Sequence, residues 1–122
     1  MKKDKTTLRK LELKCDSLLQ VKFKESNPYC IVCGLPTSNG HHVIFKSQSN
    51  YLRFNMKNIV PLCMKCHFKL HNIGDSEILG TIIKKKGMKW FDELQHDRHI
   101  LQKTTKEYLE SIIESLSKKL PF

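Results

Sequence analysis

Long apolar runs are missing from this sequence. No stretch of about 18 apolar residues occurs among its 122 positions, and Lys2, Lys3, Asp4 and Lys5 stand where a secretion signal needs its apolar segment. A protein of the cytoplasm, with no membrane partner, is therefore expected. Also absent are internal repeats, low-complexity tracts and long flexible linkers. Acidic residues are scarce, 12 against 22 lysines and arginines, for a net charge of +10. The imbalance is local. Residues 1–25 hold 8 basic against 4 acidic side chains, residues 26–90 hold 9 against 2, and residues 91–122 hold 5 against 6. An excess of that size attracts polyanions through counterion release, which makes nucleic acid the first partner to consider. The hydrophobic fraction of 39% suffices for one small domain.

Along the chain, three segments follow from periodicity and punctuation. In residues 1–26, Leu8, Leu11, Cys15, Leu18 and Val21 recur at helical spacing among lysines, and Ser26-Asn27-Pro28 ends the helix because proline disfavours helical geometry before it. In residues 27–74, His41 to Phe45 reads as a short strand, Asn58 to Leu62 as a second, and Lys65 to Asn72 as a helix stopped by Gly74. In residues 75–122, Asp75 suits the N-cap of a helix bearing Ile78, Leu79, Ile82 and Ile83, and Gly87 follows its basic end. A further helix begins near Met88 or Lys89. Thr104 and Glu107 have capping-box spacing ahead of a last helix, whose stripe of Leu109, Ile112, Ile113, Leu116 and Leu120 must be buried on the core or in a homodimer. The expected class is α+β.

Cysteine usage is informative. Cys30-x-x-Cys33 and Cys63-x-x-Cys66 form two knuckles, and a chain without a secretion signal uses such pairs for metal more than for disulfides. Together they supply four thiolates to one tetrahedral structural Zn²⁺, which then has no open position for chemistry. Cys15 lies on the apolar stripe of the first helix and is expected to pack. Four of the six histidines, His41, His42, His67 and His71, lie between or just after these pairs. On a strand, His41 and His42 point to opposite faces, whereas on a helix His67 and His71 face the same way. One strand histidine can therefore join the helical pair around an ion while its neighbour addresses a substrate. His96 and His99 read as solvated helix residues.

The set of His41-His42, Asn58 and Cys63-Met64-Lys65-Cys66-His67 through His71 resembles the HNH endonucleases over roughly residues 28 to 73. The resemblance implies a ββα-metal core with zinc knuckles, here flanked by N- and C-terminal helices, and hydrolysis of phosphodiester bonds in DNA. It implies that His42 is the general base, that His41 and His71 bind the catalytic divalent metal, and that His67 is a third ligand as in nuclease colicins. Asn58 would be catalytic, either bracing the loop between the strands or binding the metal as in other branches. Many members carry Asp or Glu where this chain has His41. Among Mg²⁺, Mn²⁺, Ni²⁺ and Zn²⁺, an imidazole-rich shell favours the last three over Mg²⁺, which prefers oxygen ligands.

A second, wider resemblance rests on Leu52-Arg53-Phe54-Asn55, on Asn58-Ile59-Val60-Pro61-Leu62-Cys63 and on Gly87-Met88-Lys89-Trp90-Phe91-Asp92-Glu93-Leu94. These segments are similar to phage recombination nucleases of the NinG group, which implies branched or recombining DNA. The second knuckle departs from that group by ending in Cys66-His67, where the group has Cys-Asn. For DNA contact, Lys46, Arg53, Lys57, Lys65 and Lys69 flank the proposed site. The alternative to a nuclease is a non-catalytic zinc-binding DNA module, which needs the basic surface and the zinc but no general base. His42 beside His41, together with His71, separates the two. A protein-interaction module of the RING type would need two interleaved zinc sites, and the ligands are too few.

Overall fold

The structure is a computed structural model that describes residues 2–118; Leu120, the last member of the expected final stripe, lies outside them. Six α-helices and one antiparallel two-stranded ribbon follow in the order α1 (Lys2–Ser26), β1 (Asn39–His42), α2 (Asn50–Arg53), β2 (Ile59–Leu62), α3 (Met64–Phe68), α4 (Ser76–Lys86), α5 (Met88–Asp97) and α6 (Lys106–Ser117). The protein is α+β. Among the described residues, no helix is long and apolar enough to cross a membrane.

The first helix ends at Ser26, two residues before Pro28. Its buried stripe is Cys15, Leu19 and Phe23, with Leu8 and Leu11 packed alongside; Val21 is 56% exposed. At 3.6 residues per turn, positions 15, 19 and 23 stay on one row while position 21 swings to the far side. The strand also differs from expectation. It spans Asn39–His42 and stops before Val43, because the Asn58 side chain takes over the backbone of Ile44: Oδ1 accepts from the Ile44 N–H and Nδ2 donates to its carbonyl, each at 2.8 Å. Those bonds turn the chain out of the ribbon. Within it, Gly40 pairs with Pro61, His41 with Val60 and His42 with Ile59.

Downstream, the punctuation acts as its chemistry requires. Helix α3 loosens into a π-helical turn over Lys69–Ile73 and ends at Gly74, whose φ of 66° is the left-handed geometry glycine adopts without strain. Asp75 caps α4 by accepting from the Glu77 N–H. The last helix is capped by Thr105, not by Thr104: the Thr105 side chain accepts from the Tyr108 N–H, and the Thr104 hydroxyl instead accepts from Asn50 Nδ2 at 2.8 Å.

Two apolar clusters hold these elements, and both cross the segment boundaries read from the sequence. One joins Ile44, Leu52, Val60 and Leu62 to Ile78 and Ile82 of α4 and to Trp90 and Leu94 of α5. The other joins α1 to Leu109 of α6 and to Phe54 and Ile59, with Ile112, Ile113 and Leu116 packed against it. The stripe of α6 thus lies on α1 of the same chain. Cys15 is fully buried there, its thiol donating to the Leu109 carbonyl at 3.4 Å, and burial pushes its pKa up.

Candidate metal centres and cleft

The four paired cysteines converge from two turns. Cys30 and Cys33 belong to a loop in which the Gly34 N–H donates to the Cys30 carbonyl at 3.0 Å, with Gly34 at a φ of 80°. Cys63 caps α3, its sulfur accepting from the Cys66 N–H at 3.4 Å, and the Val32 N–H meets the Cys30 sulfur at the same distance. All four sulfurs lie within 4.8 Å of one another, with Cys33 Sγ 3.5 Å from Cys63 Sγ. Burial raises the Cys30 thiol, yet N–H groups of Cys33, Cys63 and Val32 outweigh it and bring the pKa down to about 7. Burial and the crowding sulfurs push Cys66 up. The loop is fastened from outside as well: the Ile31 N–H donates to the Pro61 carbonyl at 2.8 Å, and Lys85 Nζ donates to the Ile31 carbonyl at 2.7 Å. Soft, mutually close sulfurs with backbone donors aimed at them suit a thiophilic divalent ion such as zinc.

A second cluster forms where β1 faces α3. One ring nitrogen from each of His41, His67 and His71 falls within 4.8 Å of the others, and His71 Nε2 lies 3.1 Å from His41 Nδ1. His67 lies in α3 and His71 in the π-helical turn that continues it, their ring centroids 4.5 Å apart, and the strand supplies the third ring. Burial, then His71, His67 and His42, push the His41 pKa down to about 3. Burial and His71 lower His67 too. Three imidazoles with ring nitrogens this close offer lone pairs that a divalent ion can take.

His42 points the other way. Its Nε2 is 2.8 Å from the Arg53 carbonyl, and a carbonyl only accepts, so this nitrogen carries the proton and Nδ1 keeps the free lone pair. Burial, which outweighs the Arg53 carbonyl, lowers the pKa and keeps the ring neutral near pH 7. His41, His42, His67 and His71 all line one open cleft of about 580 Å³, together with Gln20, Phe45 and Lys46. Phe45, 46% exposed, stacks on His71 with ring centroids 5.8 Å apart.

The remaining expected residues divide. Asn58 is fully buried, and besides Ile44 its Nδ2 reaches the Leu52 carbonyl at 3.3 Å; of its two expected roles it occupies the bracing one, away from the cleft lining. Arg53 is directed inward, with NH1 at 2.8 Å from Glu12 and NH2 at 2.8 Å from Asp16. Lys46 lies 3.7 Å from Asp16, and Lys57 lies 2.8 Å from Glu93. Among the described residues, Lys65 and Lys69 form no ion pair. Gln20, Glu12 and Asp16 belong to no motif, and Phe45 reads in the sequence only as the end of a strand. For the first three a signal existed: they stand four apart on α1, beside its apolar stripe.

A two-stranded ribbon and a following short helix that bring together four cysteines and three histidines define a small α+β protein with two candidate metal centres. The family model described as Bacteriophage Lambda NinG protein matches residues 3–121, and the chain belongs to that family. No curated protein and no solved structure matches it.

Proposed function

We propose that the chain is a metal-dependent endonuclease of the HNH type that hydrolyses phosphodiester bonds in DNA, with zinc held by Cys30, Cys33, Cys63 and Cys66 as a structural ion. The observation that carries this reading is the setting of His42. Its Nε2–H is committed to the Arg53 carbonyl, so Nδ1 is the basic atom, and the ring shares a cleft with His41, His67 and His71.

In the proposed reaction a water gives its proton to His42 Nδ1 as its oxygen bonds to phosphorus. The bond from phosphorus to the leaving sugar oxygen breaks, and that oxygen takes up a proton from solvent. His41, His67 and His71 would hold a divalent ion, which when bound neutralises charge on the phosphate and on the leaving oxygen. Asn58 keeps residues 44 and 52 in register, and the loop between the strands then presents Phe45 and Lys46 at the cleft. Lys46 lines the cleft and is the first candidate to meet a phosphate there, and Lys65 and Lys69, on the adjoining helix and outside the ion pairs, are further candidates. Branched DNA is the substrate class that the NinG resemblance implies.

A supercoiled-plasmid nicking assay with Mg²⁺, Mn²⁺, Ni²⁺ and Zn²⁺ in turn, run on wild type and on His42→Ala of equal zinc content, tests the reading. Nicking by wild type alone supports it. Should wild type bind DNA yet cleave neither plasmid nor branched substrates with any ion, the chain is a binding module.

A further inference from the structure

Glu12, Asp16 and Gln20 lie outside residues 28–73, where the HNH resemblance resides. Their spacing of four aligns them along one face of α1. Each ends on the segment that carries the strand histidines or their support. Gln20 grips Gly40 at both ends, its Nε2 donating to the Gly40 carbonyl at 3.0 Å and its Oε1 accepting from the Gly40 N–H at 2.8 Å. Asp16 accepts from Arg53 at 2.8 and 3.3 Å, and Glu12 accepts from the same guanidinium at 2.8 Å. The backbone carbonyl of that same Arg53 receives the His42 Nε2–H.

We propose that this row is a positioning device for the general base: α1 fixes Arg53, and the Arg53 carbonyl fixes the ring of His42. Arg53 is the last residue of a four-residue helix, α2, too short to be stable by itself and unable to use its final carbonyls internally. The neighbouring Leu52 carbonyl accepts from the Asn55 N–H at 3.2 Å and from Asn58 Nδ2 at 3.3 Å, whereas the Arg53 carbonyl meets the histidine. A guanidinium forked onto two carboxylates is rigid, and the three side chains are only 13%, 16% and 17% exposed, so water and salt screen them weakly. Close approach of α1 is built into the ribbon as well. A Cβ at Gly40 would stand 2.6 Å from Ile59 and 2.9 Å from Phe23, so glycine is what lets Gln20 reach the backbone there.

The catalytic half of this inference rests on the nuclease reading, whereas its geometric half does not. The test compares wild type with the triple variant E12Q/D16N/R53Q, which removes the three part-buried charges together; only Lys46 and Arg9, both exposed to water, lose a partner. Two readouts are taken on the zinc-loaded protein: plasmid-nicking kinetics, and the NMR signal of the His42 Nε2–H, which survives solvent exchange only while hydrogen-bonded. The indole N–H of Trp90, bonded to the Lys57 carbonyl at 2.7 Å, reports whether the fold is intact. Expected is loss of the His42 signal with the Trp90 signal retained, and a kcat lower by about 10- to 100-fold at unchanged KM. A retained His42 signal with wild-type kcat overturns the proposal, as does a raised KM at unchanged kcat, which would make Arg53 a DNA contact. If wild type nicks nothing, the nuclease reading fails and the His42 signal alone decides the positioning. If the triple variant does not fold, Gln20→Met, which frees Gly40 without removing a charge, is read by the same two signals.

Discussion

The cysteine corner and the histidine corner are neighbours in sequence, Cys66 adjoining His67, yet they are built on opposite plans. Around the cysteines the backbone closes in: N–H groups meet two of the sulfurs, and Lys85 and Pro61 tie the first loop to α4 and β2. Around the histidines the rings meet mainly one another, and they open onto a cleft. A cluster wrapped by its own backbone is suited to holding the chain together, whereas one left open to a cleft is suited to a ligand from outside. The difference teaches that two adjoining ligand sets can be suited to different tasks by what surrounds them as well as by their donor atoms.

The largest expected effect breaks the cysteine side of this comparison. Cys63→Ala removes both a sulfur ligand and the cap of α3. If the corner holds zinc as proposed, then because a structural zinc contributes on the order of 10 kcal/mol where folding and binding are coupled, the variant should lose both the metal and its cooperative melting, as read by metal content and circular dichroism. Native melting in that variant would show that the corner is dispensable. His42→Ala sharpens the other side. On the proposed reading nicking should drop about 10²- to 10⁴-fold while zinc content and cooperative melting are retained, the melting temperature falling only by what the lost bond to the Arg53 carbonyl contributes. A variant that lost cooperative melting, or that melted early and still nicked at the wild-type rate, would make the histidine structural.

Between these extremes lies Asn58→Ala, which leaves the Ile44 N–H and carbonyl unpartnered in a dry interior. A loss of about 1 to 3 kcal/mol in urea unfolding is expected for such groups. The smallest effect is acid sensitivity from His41. Its folded pKa of about 3 lies below the ordinary 6.5, so both states are neutral above about pH 6.5 and the term is silent there. As the pH falls from about 6.5 toward 3, only the unfolded chain takes up the proton, and stability is lost. At pH 5.5 the loss is on the order of 1 kcal/mol, and His41→Gln should recover it in urea midpoints measured beside wild type.

Much of this was legible in the residues. Two Cys-x-x-Cys pairs, a histidine pair four apart on a helix, and the stops at Pro28, Gly74 and Gly87 depend on short-range chemistry, which spacing displays. The strand boundary did not show, because Asn58 captures Ile44 from 14 residues away. Nor did the state of the basic residues: Arg53, Lys46 and Lys57 read as free cations, and their acidic partners at positions 12, 16 and 93 are distant in sequence. The polar row on α1 was visible as spacing, but what it reaches depends on how a helix is laid across a ribbon, and local pattern does not encode that.

The seam between α1 and α6 has a consequence for timing. Cys15 and Leu109, joined there, are 94 residues apart. A ribosome makes α1 early and α6 late, and the helix that backs the histidine ribbon has only Phe54 and Ile59 as apolar cover until α6 has emerged. A nascent chain with both cysteine pairs already in hand is thus still an unfinished one, and the apolar side of the bracing helix is closed only once α6 has been made.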